Sequence, residues 1–182
     1  MSIRVFSMEA SCQPPLTPAR GNLGRMADTF VARASVTIDV PAPRVWDALV
    51  NRAMIERYQP VTSVVSEWKE GSPIVWRSEF QGKSFEVNGK IVRFESERVL
   101  EYDHSLPIFR SSGASHSPQS YRRVTIELRE EGMQTHLSVT EQGNKTRREL
   151  EHSEGSWRMV LHGMKALLEG IQVVPMRTEE AR

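Results

Sequence analysis

The longest periodic pattern in the chain, Thr146 to Gly170 (TRRELEHSEGSWRMVLHGMKALLEG), dictates what the remaining residues must build. Leu150, Trp157, Leu161, Met164, Leu168 and Ile171 follow one another at spacings of seven, four, three, four and three residues. At about 100° per residue those side chains form one stripe, so the spacing predicts a long amphipathic helix. Arg148, Glu151, Glu154, Arg158, Lys165 and Glu169 fall mostly on the other faces. Thr146 and Glu149 have the spacing of a capping box, in which hydroxyl and carboxylate satisfy orphan amides at the helix start. Gly170 suits the left-handed position after the last turn, and Pro175 blocks a restart. Gly155 is the weak point, at a cost of about 1 kcal/mol against alanine, and a bend or a later start is expected there. A helix with one apolar stripe of this length needs a broad apolar surface to lie on.

The preceding residues alternate as such a surface requires. Val36, Ile38 and Val40 face one way and Thr37 and Asp39 the other, the pattern of a half-buried strand ended by Pro41. Pro43 then opens a short helix, PRVWDALVN, with Val45, Trp46 and Leu49 on its apolar side. A second short helix is expected over Ala53 to Tyr58, closed by Pro60. Strands follow at Thr62–Trp68 and Ile74–Phe80, the latter with Ile74, Trp76, Ser78 and Phe80 on one face and Val75, Arg77 and Glu79 on the other. Ser84–Glu95 is a long strand whose alternation changes phase between Val87 and Val92, which places an expected bulge at Gly89. Arg98–Leu106 puts Leu100, Tyr102, His104 and Leu106 on one face. Pro107 to Ser120 is a Ser-, Gly- and Pro-rich loop. The last hairpin pairs Tyr121–Arg129 with Met133–Glu141, and turns Val124, Ile126 and Leu128 inward against Leu137 and Val139. One strand, two short helices, six hairpin-linked strands and a long helix make an α+β fold, an antiparallel sheet of about seven strands curled around the C-terminal helix.

Composition narrows the function classes. The chain has 182 residues, one domain's worth. Its 24 Lys and Arg nearly balance 23 Asp and Glu, and no dense basic run offers a nucleic-acid face. Arg122-Arg123 and Arg147-Arg148 read as solvated surface pairs. The single Cys12 excludes an intramolecular disulfide. No apolar run is long enough to span a bilayer, and the amino terminus lacks the core of a secretory signal, so a cytoplasmic protein without membrane insertion is expected. Residues 1–30 read as a disordered leader, 31–172 as the domain and 173–182 as a flexible tail, with Met26 as an alternative start.

Four blocks carry a resemblance. ASVTIDVPAPRVWDALVN, ERVLEYDHS, TIELREEGMQTHLSVTEQG and GSWRMVLHGMKALLEG occur in an order similar to that of the START-like, or SRPBCC, helix-grip superfamily. Within it the chain most resembles the polyketide cyclase and chaperone-ATPase-activator-like branch, over residues 32 to 170. The resemblance implies a hydrophobic cavity between sheet and long helix that takes a small apolar or amphipathic molecule.

Strand alternation and the helix stripe place Trp76, Tyr102, His104, Glu141, Trp157, Leu161, Met164 and Leu168 as candidate lining of that cavity. The same residues could instead fill an ordinary core. Tyr102 and His104 share a strand face and are the candidate acids or donors of a cyclase- or dehydratase-type enzyme; a His bonded to neighbouring backbone is the plainer alternative. Glu141 could orient a ligand hydroxyl or be an exposed edge carboxylate. Arg77 and Glu79 are expected to pair at the surface. Ligand entry is expected past the 107–120 loop or near Trp46 and Tyr58. His104, His116, His136, His152 and His162 lack metal-ligand spacing, and no phosphate-binding loop, dinucleotide fingerprint or nucleophile elbow occurs, so no metal or cofactor is implied. A protein-interaction module of the chaperone-activator kind is the third function class, and a homodimer is compatible with all three.

Overall fold

The computed structural model describes residues 30–80, 83–105 and 121–171. Its elements run β1 (Phe30–Ile38), α1 (Ala42–Val50), α2 (Arg52–Tyr58), β2 (Ser63–Ser66), β3 (Pro73–Phe80), β4 (Lys83–Glu95), β5 (Val99–Ser105), β6 (Tyr121–Glu131), β7 (Gln134–Asn144) and α3 (Arg147–Leu168). All strands pair antiparallel in one curved sheet of order β1-β7-β6-β5-β4-β3-β2, and α3 lies in its concave face. This is the helix-grip architecture that the order of elements predicts. Most of the leader, the 107–120 loop and the 173–182 tail lie outside the described residues.

Period-two burial builds the floor of the fold. Val124, Ile126 and Leu128 of β6 are buried opposite Leu137 and Val139 of β7, and the α3 stripe sets Leu161, Met164 and Leu168 against them. Val45, Ala48 and Leu49 of α1 cap one end of this core, where Trp46 meets Phe94 edge-on at 5.2 Å. The stripe of α3 stops at Leu168. Gly170 takes a φ of 70°, and the Ile171 amide donates to the Ala166 carbonyl at 2.9 Å, a Schellman closure that turns Ile171 out to solvent.

Four local expectations need correction. The irregularity in β4 falls between Ile91 and Arg93, not at Gly89. Gly89 serves close approach instead, since a Cβ there would stand 2.4 Å from the Asp103 carbonyl and 3.1 Å from the Trp76 ring. Gly155 does not delay α3, which runs unbroken from Arg147 to Leu168. The capping box is half reciprocal: Thr146 Oγ1 accepts from the Glu149 amide at 3.1 Å, but Glu149 Oε2 accepts from the Lys145 amide, because the same oxygen also bonds Arg122. Arg77 pairs with Glu86, directly opposite on β4, rather than with Glu79 two residues along its own strand.

Candidate functional site

A cleft of about 520 Å³ opens between β3, β4 and β5 on one side and the middle of α3 on the other. Trp76, Tyr102 and Trp157 form its aromatic wall, Val87, Phe85 and Val160 its apolar sides, and Gln59, Pro60 and Val61 part of its rim. Trp76 and Tyr102 lie with ring centroids 4.9 Å apart, and His104 stands 6.1 Å from each.

One end of the cleft is polar and closely bonded. Arg122 of β6 donates from Nη1 to Glu141 Oε1 at 2.7 Å and to Ser153 Oγ at 2.9 Å, and from Nη2 to Glu149 Oε2 at 3.1 Å. Trp157 Nε1 donates to Glu141 Oε2 at 2.7 Å. The single Ser153 proton goes to Glu141 Oε1 or to Asn144 Oδ1, both at 2.9 Å. Both Glu141 oxygens are therefore occupied from within the protein. Arg122 Nε is not: it is buried and has no hydrogen-bond partner among the described residues. That orphan donor has no surface open to the cleft and is a cost the polar network carries within the fold.

The strand register explains how these groups meet. Arg122 sits opposite His104, and Val124 opposite both Tyr102 and Glu141, so Arg122 is a diagonal neighbour of Tyr102 and of Glu141 on the inward face. Gly143 makes room beside them. Its φ is 99°, and a Cβ there would lie 2.8 Å from the Tyr121 carbonyl and 3.4 Å from the Arg122 side chain.

Burial sets the protonation states. The Tyr102 phenol is pushed well above its ordinary range, first by loss of water and then by the Glu141 charge, so it stays a neutral donor. Its hydroxyl has no hydrogen bond among the described residues. Burial also lowers the His104 pKa, against the opposing pull of Glu141 and the Ser105 carbonyl. The 3.3 Å contact of Nδ1 with that carbonyl requires a proton on Nδ1, which leaves Nε2 of the neutral ring as an acceptor. Glu149 is held below the usual carboxylate range, chiefly by the Lys145 amide and further by Arg122.

Of the expected lining residues, Trp76, Tyr102, His104, Glu141 and Trp157 come together on the cleft. Leu161 and Met164 lie beneath it, around a void of about 20 Å³ with room for about one water, and Leu168 is packed in the core away from both. Trp46 and Tyr58 do not border the cleft; Trp46 is buried on Phe94, and Tyr58 donates to the Ala48 carbonyl. Glu141 is no edge carboxylate, being 5% exposed. Arg122, read from the sequence as solvated surface, is 8% exposed and is the centre of the polar end. Its signal was present: Arg122 is in phase with Val124, Ile126 and Leu128, as Glu141 is with Leu137 and Val139. Among the described residues no three His, Cys, Asp or Glu side chains group as metal ligands, and no helix is long and apolar enough to cross a membrane.

A long helix gripped by a seven-stranded antiparallel sheet, with a cleft between them, defines the class as a helix-grip protein of the SRPBCC superfamily. The chain belongs to the family of activator of Hsp90 ATPase homolog 1-like proteins, which it matches over residues 39–169. The solution structure of ChR145 from Cytophaga hutchinsonii is 37% identical and superposes with a TM-score of 0.67 over 78% of this chain and 94% of that one. MLL2253 from Mesorhizobium loti, at 19% identity, superposes with a TM-score of 0.64 over 79% of this chain and 100% of that one. The Aha1 dimer from Colwellia psychrerythraea, at 16% identity, gives 0.62 over 79% and 99%; these last two likenesses are of fold. No curated protein matches the chain.

Proposed function

We propose that the protein binds a small, largely apolar molecule in the cleft between β3–β5 and α3. The observation that carries this reading is a mostly apolar cleft of about 520 Å³ walled by Trp76, Tyr102 and Trp157. Cavities of this size, with apolar walls and a few fixed polar atoms, suit ligands of drug-like dimensions. Affinity would come from apolar surface leaving water, at about 25 cal/mol per Å², and orientation from Tyr102 Oη and His104 Nε2. Native mass spectrometry of the full chain as purified, followed by extraction and identification of released molecules, tests it. A reproducible adduct that Val87→Trp abolishes supports the reading. The same adduct on the Val87→Trp variant places the ligand elsewhere.

Family membership favours a second reading, a chaperone-activator-like role exerted through the outer surface. The family fold is compatible with both. This reading expects an effect on a chaperone ATPase that Val87→Trp leaves intact. A cyclase- or dehydratase-type activity would draw on the neighbouring Tyr102 and His104, whose rings lie 6.1 Å apart on the cleft wall. It expects turnover that Tyr102→Phe and His104→Gln remove without unfolding the domain.

A further inference from the structure

α3 carries a second apolar row, on faces turned away from the stripe that packs on the sheet. Met159, Gly163, Leu167 and Ile171 recur every four residues, one of the ridges along which helices pack. α2 meets this row at Gly163, where the bare backbone leaves room for the Tyr58 carbonyl. With seven residues, α2 is too short to cover the rest. Met159 stays 71% exposed, and Ile171, turned out by the closure at Gly170, is 56% exposed. The result is a second groove, of about 720 Å³, between the end of α2 and the outer side of α3. Among the described residues it shares no lining side chain with the cleft, so the two sites are separate.

The polar lining of this groove is Arg57, Tyr58, His162 and Lys165, with no carboxylate among the described residues. The Tyr58 hydroxyl is used inside the fold, on the Ala48 carbonyl, and Lys165 is held by Glu169 and the Thr37 carbonyl. Arg57 is exposed and has no ion-pair partner among the described residues. The acids nearest along the two helices are engaged elsewhere, Glu56 by Arg52 and Glu169 by Lys165 and the Asp39 amide. An apolar row beside an unpaired cation calls for a partner that is apolar on one face and acidic at its margin. A second copy of the chain does not meet that need, since a two-fold contact would set this like-charged surface against itself. The walls are helices whose interior backbone groups are paired internally, so an extended peptide finds no ladder to join and side chains must make the contact. We propose that the groove docks an acidic amphipathic helix of a partner protein, its apolar face on Met159, Leu167 and Ile171 and its carboxylates on Arg57 and His162. Met159 to Ile171 spans about 18 Å at about 1.5 Å per residue, room for about three turns of the incoming helix.

The test uses the full chain and two dye-labelled helical peptides of about fourteen residues, with Leu at helical spacing and either Glu or Lys elsewhere. Fluorescence anisotropy reads the affinity, and the His162 imidazole resonances report the place. The acidic peptide is expected to bind about tenfold or more tightly than the basic one, and to weaken as salt rises from about 50 to 300 mM. Arg57→Glu should weaken the acidic peptide by about tenfold and strengthen the basic one, with a smaller loss in Arg57→Gln. Met159→Glu, at an exposed position, should weaken the acidic peptide as well, while Val87→Trp in the cleft should leave it unchanged. Equal affinities for the two peptides, binding indifferent to both Arg57 variants, or no binding by either peptide below about 1 mM overturns the proposal. Two further results reassign the groove and overturn it too. One is a concentration-dependent dimer that Met159→Glu dissociates, which makes the occupant a second copy. The other is peptide binding that appears only when residues 173–182 are removed, which gives the groove to the chain's own C-terminal segment.

Discussion

At the scale of single residues, the pair Arg122 and Glu141 is where the fold commits most to a polar interior. Their side chains are 10% and 7% exposed, so neither can turn to water if the other is lost. Arg122→Met should therefore cost about 3–5 kcal/mol, read from urea unfolding. The double variant Arg122→Met with Glu141→Gln, which removes both charges and keeps an acceptor for Trp157 while its amide NH2 donates to Ser153 Oγ, should recover at least about half of that loss. If the single variant costs less than about 1 kcal/mol, the pair is not the closed network its geometry describes. His104 gives a pH signature. Its pKa is lowered in the folded state, so the unfolded chain binds a proton first as pH falls. Stability is unpenalised above the ordinary histidine value of about 6.5 and declines as pH drops below it toward the folded value. His104→Gln should flatten the stability profile in that window, and an unchanged slope would show that His104 is not the group responsible.

At the scale of elements, α3 carries two glycines that ought to behave oppositely. Gly155 has nothing within 4 Å of where a Cβ would stand, so Gly155→Ala should stabilise the protein by about 0.5–1 kcal/mol. A Cβ at Gly163 would stand 3.1 Å from the Tyr58 carbonyl, at the crossing of α2 and α3. Gly163→Ala gains the same helix propensity but must push that backbone aside, and thermal melts should show it less stable than Gly155→Ala. The element scale is also where the sequence was most legible. The helix stripe, the cap at Thr146 and the inward residues of β6 and β7 all follow from local periodicity. The bulge in β4 did not, because Gly89 and the Ile91–Arg93 step are both compatible with the same phase change. Only the approach of β3 and β5 to Gly89 separates them.

At the scale of the whole molecule, a ligand that occupies the cleft bridges sheet and helix and binds the folded state alone. At a concentration about a hundredfold above Kd it should stabilise the protein by about 2.7 kcal/mol, visible as a concentration-dependent rise in Tm. The Val87→Trp variant should show no such rise while folding normally. An equal rise in that variant would put the ligand outside the cleft.

The sequence by itself determined the class of fold, the order and type of its elements and most of the core, because these follow from periodicity and from turn residues acting over a few positions. It also put Trp76, Tyr102, His104, Glu141 and Trp157 on inward faces. Only the tertiary structure decided which inward residues border open space and which are packed. Leu161, Met164 and Leu168 share the stripe of Trp157 yet lie below or beyond the cleft, since the depth of a curved sheet is not written in the phase of one helix. The same holds for Arg122. A charged residue at an inward position reads as surface until strand pairing brings Glu141, Ser153 and Glu149 around it. Those partners come from one neighbouring strand and the start of the last helix, between 19 and 31 residues away along the chain.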